Sequence, residues 1–558
     1  TPETQSAPEG EAERTIAGIW ADILGRRHVG RDDNFFDLGG DSILSLQVIA
    51  RARQQGLVLT LRDTFQHQTV RALAVAARRR PTAPAAEARP ASSIETERPA
   101  RLTPSDLPLA GLNQAQIDAL PVPAVAIADA YPLSPLQQGL LFHALHATET
   151  GLYVNQVLAT FDGPLDAGRF ARAWEAATER HDILRTGFLW DGPAPLQLVR
   201  RSVPVPVEIR DGSGLDEPGI AEIARWERER GFDLAAPPLM RVLLLQVAED
   251  RHRLVWTFHH ILMDGWSTAR LIGEVLSQYH GAAPAVGPGR YRDHIAWLAD
   301  RDIAADEAFW RDQLARLEAP TRLADALPAP VQKGDGHGVL ATRHDAGRMA
   351  RLTAFCRRER ITLNTLVQGA WALLLSRYTG QPSVAFGATV AGRPVELPGA
   401  ETLLGLFINT LPVIQQPDPK ARVGDWLRRV QDVMLALHEH EHTPLADIQR
   451  WGGQGGLFDT LLVFENYPID RAARAGGDLR VTAAETVEAT HYPLSLAVQA
   501  GDTLDIAYGY RRDAFAPAQV EALARHLDTL LDRLAADEDA ALGSLSLLAE
   551  SDLAQLAA

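Results

Sequence analysis

Apolar residues at Ile16, Ile19, Trp20, Ile23 and Leu24 recur at intervals of three and four, which predicts an amphipathic helix over 11–24. A second helical face begins near Ser42, with Ile43, Leu46, Val48, Ile49 and Ala50 on its apolar side. A third runs over 69–79 until Pro81 stops it. Together they define a small helical domain over residues 11–80, near the lower size limit for an autonomous core. Residues 1–10 are polar and contain proline and glycine, and predict a disordered lead-in. Residues 81–100 are rich in proline, alanine and charge, without apolar periodicity. With a short helix near 113–120 and the following Pro-Val-Pro, they read as a linker over 81–128.

From residue 129 the pattern mixes periods of two and of about four. RVLLLQVA at 241–248, a turn-like EDRH and RLVWTF at 253–258 predict a β-hairpin that delivers His259 and His260 at its end. Helices are predicted over 166–180, 267–280 and 363–378, and strands over 383–390 and 460–464. Over four hundred residues of alternating elements suggest two α/β lobes, at 129–300 and 301–558.

Composition narrows the function. Lys and Arg number 55 against 71 Asp and Glu, a formal charge of −16, which argues against nucleic acid as a partner. The single cysteine, Cys356, excludes a disulfide within the chain and disfavours a thiolate zinc site. No apolar run approaches the roughly 20 residues of a membrane helix, and no signal peptide is evident. A cytoplasmic protein with no membrane partner is expected.

Ser42 follows two glycines and Asp41. Alone, Gly-Asp-Ser reads equally well as a helix N-cap. It does not fit the nucleophile elbow G-x-S-x-G, since Leu44 stands where the last glycine belongs. HEHEH at 438–442 matches H-E-x-x-H, but it lies in a charged stretch and Pro444 soon ends the helix, so no metal is assigned.

The wider context is more specific. DNFFDLGGDSILSLQVIARAR, followed by LRDTFQHQTVRALA, closely resembles the peptidyl carrier domains of nonribosomal peptide synthetases. The resemblance implies a four-helix bundle whose Ser42 carries a covalent 4′-phosphopantetheine arm, attached by a phosphopantetheinyl transferase. Asp41 flanks the attachment point. Glycines permit close approach to the backbone, and a helix N-terminus favours the added phosphate.

HHILMDGWS at 259–267 matches HHxxxDG, the signature of the condensation-domain superfamily, whose two lobes resemble chloramphenicol acetyltransferase. Seven further segments agree in order: SPLQQGLLFHAL (134–145), RHDILRTGF (180–188), GFDLAAPPLMR (231–241), YRDHIAWL (291–298), GLFINTLP (405–412), HEHTPLADIQ (440–449) and LLVFENYP (461–468). The chain is thus similar to a carrier–condensation didomain. The resemblance implies amide-bond formation between a donor thioester on one pantetheine arm and an amine on an acceptor carrier downstream, with substrates supplied by an upstream adenylation domain.

His260 would act as general base or as a positioning group. His259 and Asp264 are assigned to structure. The resemblance implies that Asp264 pairs with an arginine, and Arg185 is the candidate. Gly265 would offer a backbone N–H to the developing oxyanion. Trp266 and Ser267 would line the tunnel. Thr268 and Ala269 replace the tryptophan–arginine pair usual in epimerisation domains, which favours condensation. The motifs around 134 and 461 are similar to the subtype that accepts a D-configured donor, yet no epimerisation domain lies between Ser42 and His260. Combined epimerisation and condensation, ester formation, and a non-catalytic recruitment platform are the alternatives.

Overall fold

The computed structural model describes residues 6–40, 42–79, 101–146, 151–192, 194–282, 289–330, 334, 336–453, 455–465 and 479–548. Asp41, the stretch 81–100 and the last three residues of the LLVFENYP motif lie outside the described residues.

The N-terminal domain is a bundle of four helices: Gly10–Leu24, Ser42–Gln54, Leu61–Gln66 and Val70–Ala76. Its core joins Ile16, Ile19, Trp20, Val48 and Ile49, from the stripes that the periodicity marks, with Phe35, Val70 and Leu73. Two differences stand out. Within the expected lead-in, residues 6–9 pack against the bundle: Arg31 N–H donates to the Ser6 carbonyl at 3.0 Å and its guanidinium reaches Glu9 at 2.8 Å. The fourth helix ends at Ala76, and Arg78–Arg79 pairs antiparallel with Leu57–Val58 instead of extending the helix.

The segment 101–126, expected as linker, is part of the α/β body. Leu102, Leu107, Leu112, Ile117 and Val122 pack on Ile127, Ala130, Leu196 and Leu198. Burying each such side chain contributes about 1.5–3 kcal/mol, enough to hold a proline-rich stretch in place.

Beside that smaller cluster, the α/β body has two large cores. The first packs helices Ala167–Arg180 and Gly265–Tyr279 on a five-stranded sheet, beside a three-stranded sheet. Asp166 caps the first of these helices, and Phe170, Ala173, Trp174 and Ala177 form its buried face. The second core surrounds a mixed six-stranded sheet and the helix Leu363–Thr379, buried on nearly every side. The expected hairpin is Met240–Ala248 paired with Arg251–His259.

Two crossings tie the lobes together. Strand Arg480–Val487, late in the chain, pairs antiparallel with Val154–Asp162 at the edge of the first lobe's sheet. The loop 391–408, between the second-lobe strands Val384–Val390 and Asn409–Gln415, sends Leu403, Leu404, Leu406 and Phe407 into the first lobe's core. Gly392 makes that loop possible. Its φ is +61°, and a Cβ there would lie 1.8 Å from the Phe407 carbonyl oxygen. Among the described residues no helix is long and apolar enough to cross a membrane.

Candidate active site

Strand Arg251–His259 runs between Val154–Asp162 and Met240–Ala248, buried along most of its length. Its end delivers two histidines into different surroundings. His259 is buried, its Nδ1 accepts the Ile261 N–H at 3.2 Å, and desolvation pushes its pKa down to about 3. Burial keeps it neutral. His260 turns the other way, its backbone N–H donating to the Tyr153 carbonyl at 2.8 Å.

The His260 ring lines a cavity of about 690 Å³, together with Gly265, Tyr153, His143, Asn409 and Glu465. Its Nδ1 lies 3.0 Å from the Met263 carbonyl oxygen. A carbonyl only accepts, so Nδ1 carries the proton and Nε2 keeps its lone pair. Burial lowers the pKa of His260, and the Met263 carbonyl, Asp264 and Glu465 offset part of that. The imidazole therefore stays neutral at physiological pH, in a tautomer suited to accepting a proton.

Asp264 is fully buried and caps the helix Gly265–Tyr279, its Oδ1 accepting the Ser267 N–H at 2.7 Å. Its arginine partner is not Arg185. Arg393 Nη2 reaches both Asp264 oxygens, at 3.1 and 3.3 Å. Arg185 instead pairs with Asp182 at 2.6 Å and donates to the Thr178 and Arg201 carbonyls. Asp182, one helical turn before Arg185, supplies the nearer carboxylate, so Arg185 has no reason to reach the histidine turn. Arg393 comes from the crossing loop and also donates to the carbonyls of Ala400 and Leu403, and Asp264 Oδ2 accepts the Phe407 N–H. The aspartate thus clamps the loop to the histidine turn.

Trp266 and Ser267 do not line the cavity. Trp266 Nε1 donates to the Glu401 carbonyl at 3.1 Å. Ser267 Oγ donates to the Gly405 carbonyl and accepts from Arg393 Nη2, both at 2.8 Å. Both side chains face the crossing loop because the helix they open turns that face away from His260. Gly265 is the first residue of this helix and does line the cavity. First-turn N–H groups lack intrahelical partners, so this end can receive a developing negative charge.

Other motif residues brace the site. Gln137 Nε2 donates to the Ile261 carbonyl at 3.1 Å, and Tyr291 Oη to the Leu406 carbonyl at 2.7 Å. Asn409 Nδ2 donates to the Glu441 and Thr443 carbonyls. In HEHEH, His440 Nδ1 and His442 Nε2 share the two oxygens of Asp306, at 2.6 and 2.9 Å, and His438 meets Glu441. These histidines pin the loop after helix Val423–His438 to the helix Ile303–Leu314.

The helical domain rests on the second lobe. Arg357 pairs with the Asp37 carboxylate at 2.9 Å and donates to its carbonyl, and Arg53 donates to the Val395 carbonyl at 2.8 Å. Between the two lies a cavity of about 830 Å³, lined by Gly39, Gly40 and Leu44 on one side and Met349, Asn364 and Phe464 on the other. Phe464 belongs to strand Thr460–Glu465, whose Val463 and Glu465 line the His260 cavity. Successive strand residues face opposite ways. One strand end is therefore a wall of both cavities.

A family model described as a condensation domain matches residues 127–557, and one described as a phosphopantetheine attachment site matches 14–76. The chain belongs to the condensation-domain family. Its carrier domain, with the attachment signature, precedes the condensation domain. A linear gramicidin synthase protein from Brevibacillus parabrevis is 39% identical over 474 residues, covering 81% of this chain and 6% of that protein. The AMB antimetabolite synthetase AmbE of Pseudomonas aeruginosa is 36% identical over 546 residues, covering 94% of this chain and 24% of that protein. The chain therefore spans a small part of these relatives. The condensation domain from the monacolin K polyketide synthase MokA superposes with a TM-score of 0.66 at 18% identity, over 75% of this chain and all of that one, which shows the fold. Condensation domains of nonribosomal peptide synthetases are peptide-bond-forming acyltransferases, and carrier domains of this kind bear covalent 4′-phosphopantetheine.

The condensation domain's histidine turn follows the sequence pattern, and its clamp departs from it. Arg393 is not legible as the partner of Asp264: it stands 129 residues away in the chain, in a loop without helical or strand periodicity. Glu488 and His491, which also line the His260 cavity, carry no local motif.

Proposed function

We propose that this chain joins two carrier-tethered substrates through an amide bond. The donor acyl group sits as a thioester on the arm at Ser42. The acceptor amine arrives on a downstream carrier domain, the donor is activated by an upstream adenylation domain, and a phosphopantetheinyl transferase installs the arm. A cytoplasmic setting fits this chemistry.

The observation that carries the reading is His260 itself: a neutral imidazole whose Nε2 keeps its lone pair, set on the wall of an interlobe cavity. The carrier's Gly39–Gly40 loop opens onto the neighbouring cavity, which shares a strand end with the first. As the amine attacks the thioester carbon, Nε2 takes a proton from the attacking nitrogen and passes it to the departing sulfur. Gly265 N–H, at the helix start, faces the carbonyl oxygen. Holding both reactants in one cavity supplies the larger share of the rate, roughly 7–11 kcal/mol in favourable cases.

The test is turnover of the whole chain, with an acyl group loaded on Ser42 and an aminoacyl-carrier supplied as acceptor. The wild-type chain forms amide. His260→Ala stays folded and loses about 10²–10⁴-fold in rate, the usual contribution of a positioned base. A wild-type chain that is loaded on both carriers and yields no amide would sink the reading.

A further inference from the structure

Tyr153 leads into the strand Val154–Asp162 in a backbone shape that few side chains take. Its φ is +60°, in the left-handed region. Such a conformation persists only where the surroundings over-determine it, and residues of this kind gather at functional sites. Tyr153 is held in three ways. Its side chain is buried in the first lobe's core. Its carbonyl accepts the His260 N–H at 2.8 Å, one step beyond the last ladder pair, Val154 with His259. Its hydroxyl is hydrogen-bonded to Nδ1 of His491.

His491 lies on the path between the lobes. Residues 488–493 carry the chain from the crossing strand Arg480–Val487 back to Leu494–Ala500, a strand of the six-stranded sheet. Both lobes grip this segment. From the first, Asn155 Nδ2 donates to Glu488 Oε1 at 2.9 Å, and the His143 ring stacks on His491 with centroids 3.8 Å apart and planes 22° apart. From the second, Phe458 stacks on Tyr492 at 5.7 Å between centroids. His143 belongs to the helix Pro135–His146, whose Gln137 holds the Ile261 carbonyl. Tyr153 and this helix therefore each hold the histidine turn, and each also touches His491.

We propose that Tyr153 is a positioning residue for His260, and that its bond to His491 makes the aim of the imidazole depend on how the second lobe stands against the first. The argument is mechanical. His260 Nδ1 meets the Met263 carbonyl while the His260 backbone is held, and the Tyr153 carbonyl is one of its holds. That carbonyl points at His260 because Tyr153 stays left-handed. Without the hydroxyl, one constraint on that conformation is gone. The backbone relaxes toward the ordinary region, the carbonyl leaves the His260 N–H, and the ring loses its single tautomer. The Tyr153 hydroxyl itself moves no proton in the reaction. Only the kinetic part of this inference rests on the amide-forming reading above.

The test has a part that needs no substrate. The whole chain is labelled with 15N-histidine, and the His260 ring is identified in long-range proton–nitrogen correlations by its loss in His260→Ala. The wild type shows one tautomer, protonated at Nδ1. Tyr153→Phe and His491→Phe keep a ring at each place and show both tautomers. Their unfolding midpoints fall by no more than the ~2–4 °C expected for one hydrogen bond. With the donor on Ser42 and a saturating aminoacyl-carrier, each variant lowers kcat about tenfold, within the ~10²–10⁴-fold that a positioned base supplies, and leaves KM for the carrier unchanged. The double variant is no slower than either single one, because both changes break the same bond. In the His260→Ala background, Tyr153→Phe slows nothing further. An unaltered His260 tautomer, or an equal loss of rate with and without the imidazole, means general packing and overturns the proposal. A wild-type chain that forms no amide overturns the functional reading, and the tautomer result then decides the positioning by itself.

Discussion

Replacing Ser42 with alanine is expected to abolish loading of the carrier and, with it, amide formation in cis. Intact-protein mass spectrometry after treatment with coenzyme A and a phosphopantetheinyl transferase shows one added arm on the wild-type chain and none on Ser42→Ala. The argument is local. Ser42 opens the helix Ser42–Gln54 immediately after the Gly39–Gly40 turn. Gly39 has a φ of +101°, and a Cβ on Gly40 would come within 2.4 Å of the Phe35 ring in the carrier core. The two glycines hold the turn in a shape other residues would strain, and the helix N-terminus offers N–H groups to the phosphate. Alanine is a good helix former, so the bundle persists and only the hydroxyl that forms the phosphodiester is lost. An arm found on the alanine variant would move the attachment point elsewhere.

Removing Arg393 carries the largest expected cost to the fold. Its guanidinium is 3% exposed and Asp264 is fully buried, and together they anchor the crossing loop to the start of the helix Gly265–Tyr279. Desolvation disfavours the charged guanidinium, and the Asp264 carboxylate is what offsets this. Arg393→Ala leaves a buried carboxylate without its cation and is expected to destabilise the condensation domain by about 3–5 kcal/mol in denaturant unfolding. Lys is a poor substitute, because one ammonium does not serve Asp264, Ser267 and two carbonyls in a planar fork. A double variant, Asp264→Asn with Arg393→Met, should lose less than the sum of the single changes, since no unpaired charge remains. Loss of activity in an Asp264 variant would then report a loosened loop rather than missing chemistry. Equal stability of Arg393→Ala and wild type would refute the clamp.

What is legible in the chain is what is contiguous in it. HHILMDG carries strand, turn and helix cap within seven residues, so the placement of His259, His260 and Asp264 follows from one stretch. Helices with a regular apolar stripe, such as Ala167–Arg180, fall within a residue or two of their predicted ends. Arg185 stands in a matching motif, which makes it the sequence's candidate for Asp264, but Asp182 is closer and takes it. Trp266 and Ser267 are adjacent to the histidine turn in sequence, yet helical rotation turns them to the crossing loop. Residues 101–126 read as linker because proline masks periodicity: their apolar side chains are spaced irregularly and become a core only against Leu196 and Leu198. Glu488 reaches the site because a late strand joins the first lobe's sheet, a pairing no local pattern encodes.

The central claim is that the arm on Ser42 brings its terminus to His260. The most direct measurement loads the whole chain with a coenzyme A analogue ending in a bromoacetamide and maps alkylated residues by tandem mass spectrometry. The account predicts alkylation of the His260 imidazole in the wild-type chain and its absence in Ser42→Ala. Full loading of Ser42 with His260 left unmodified would contradict it.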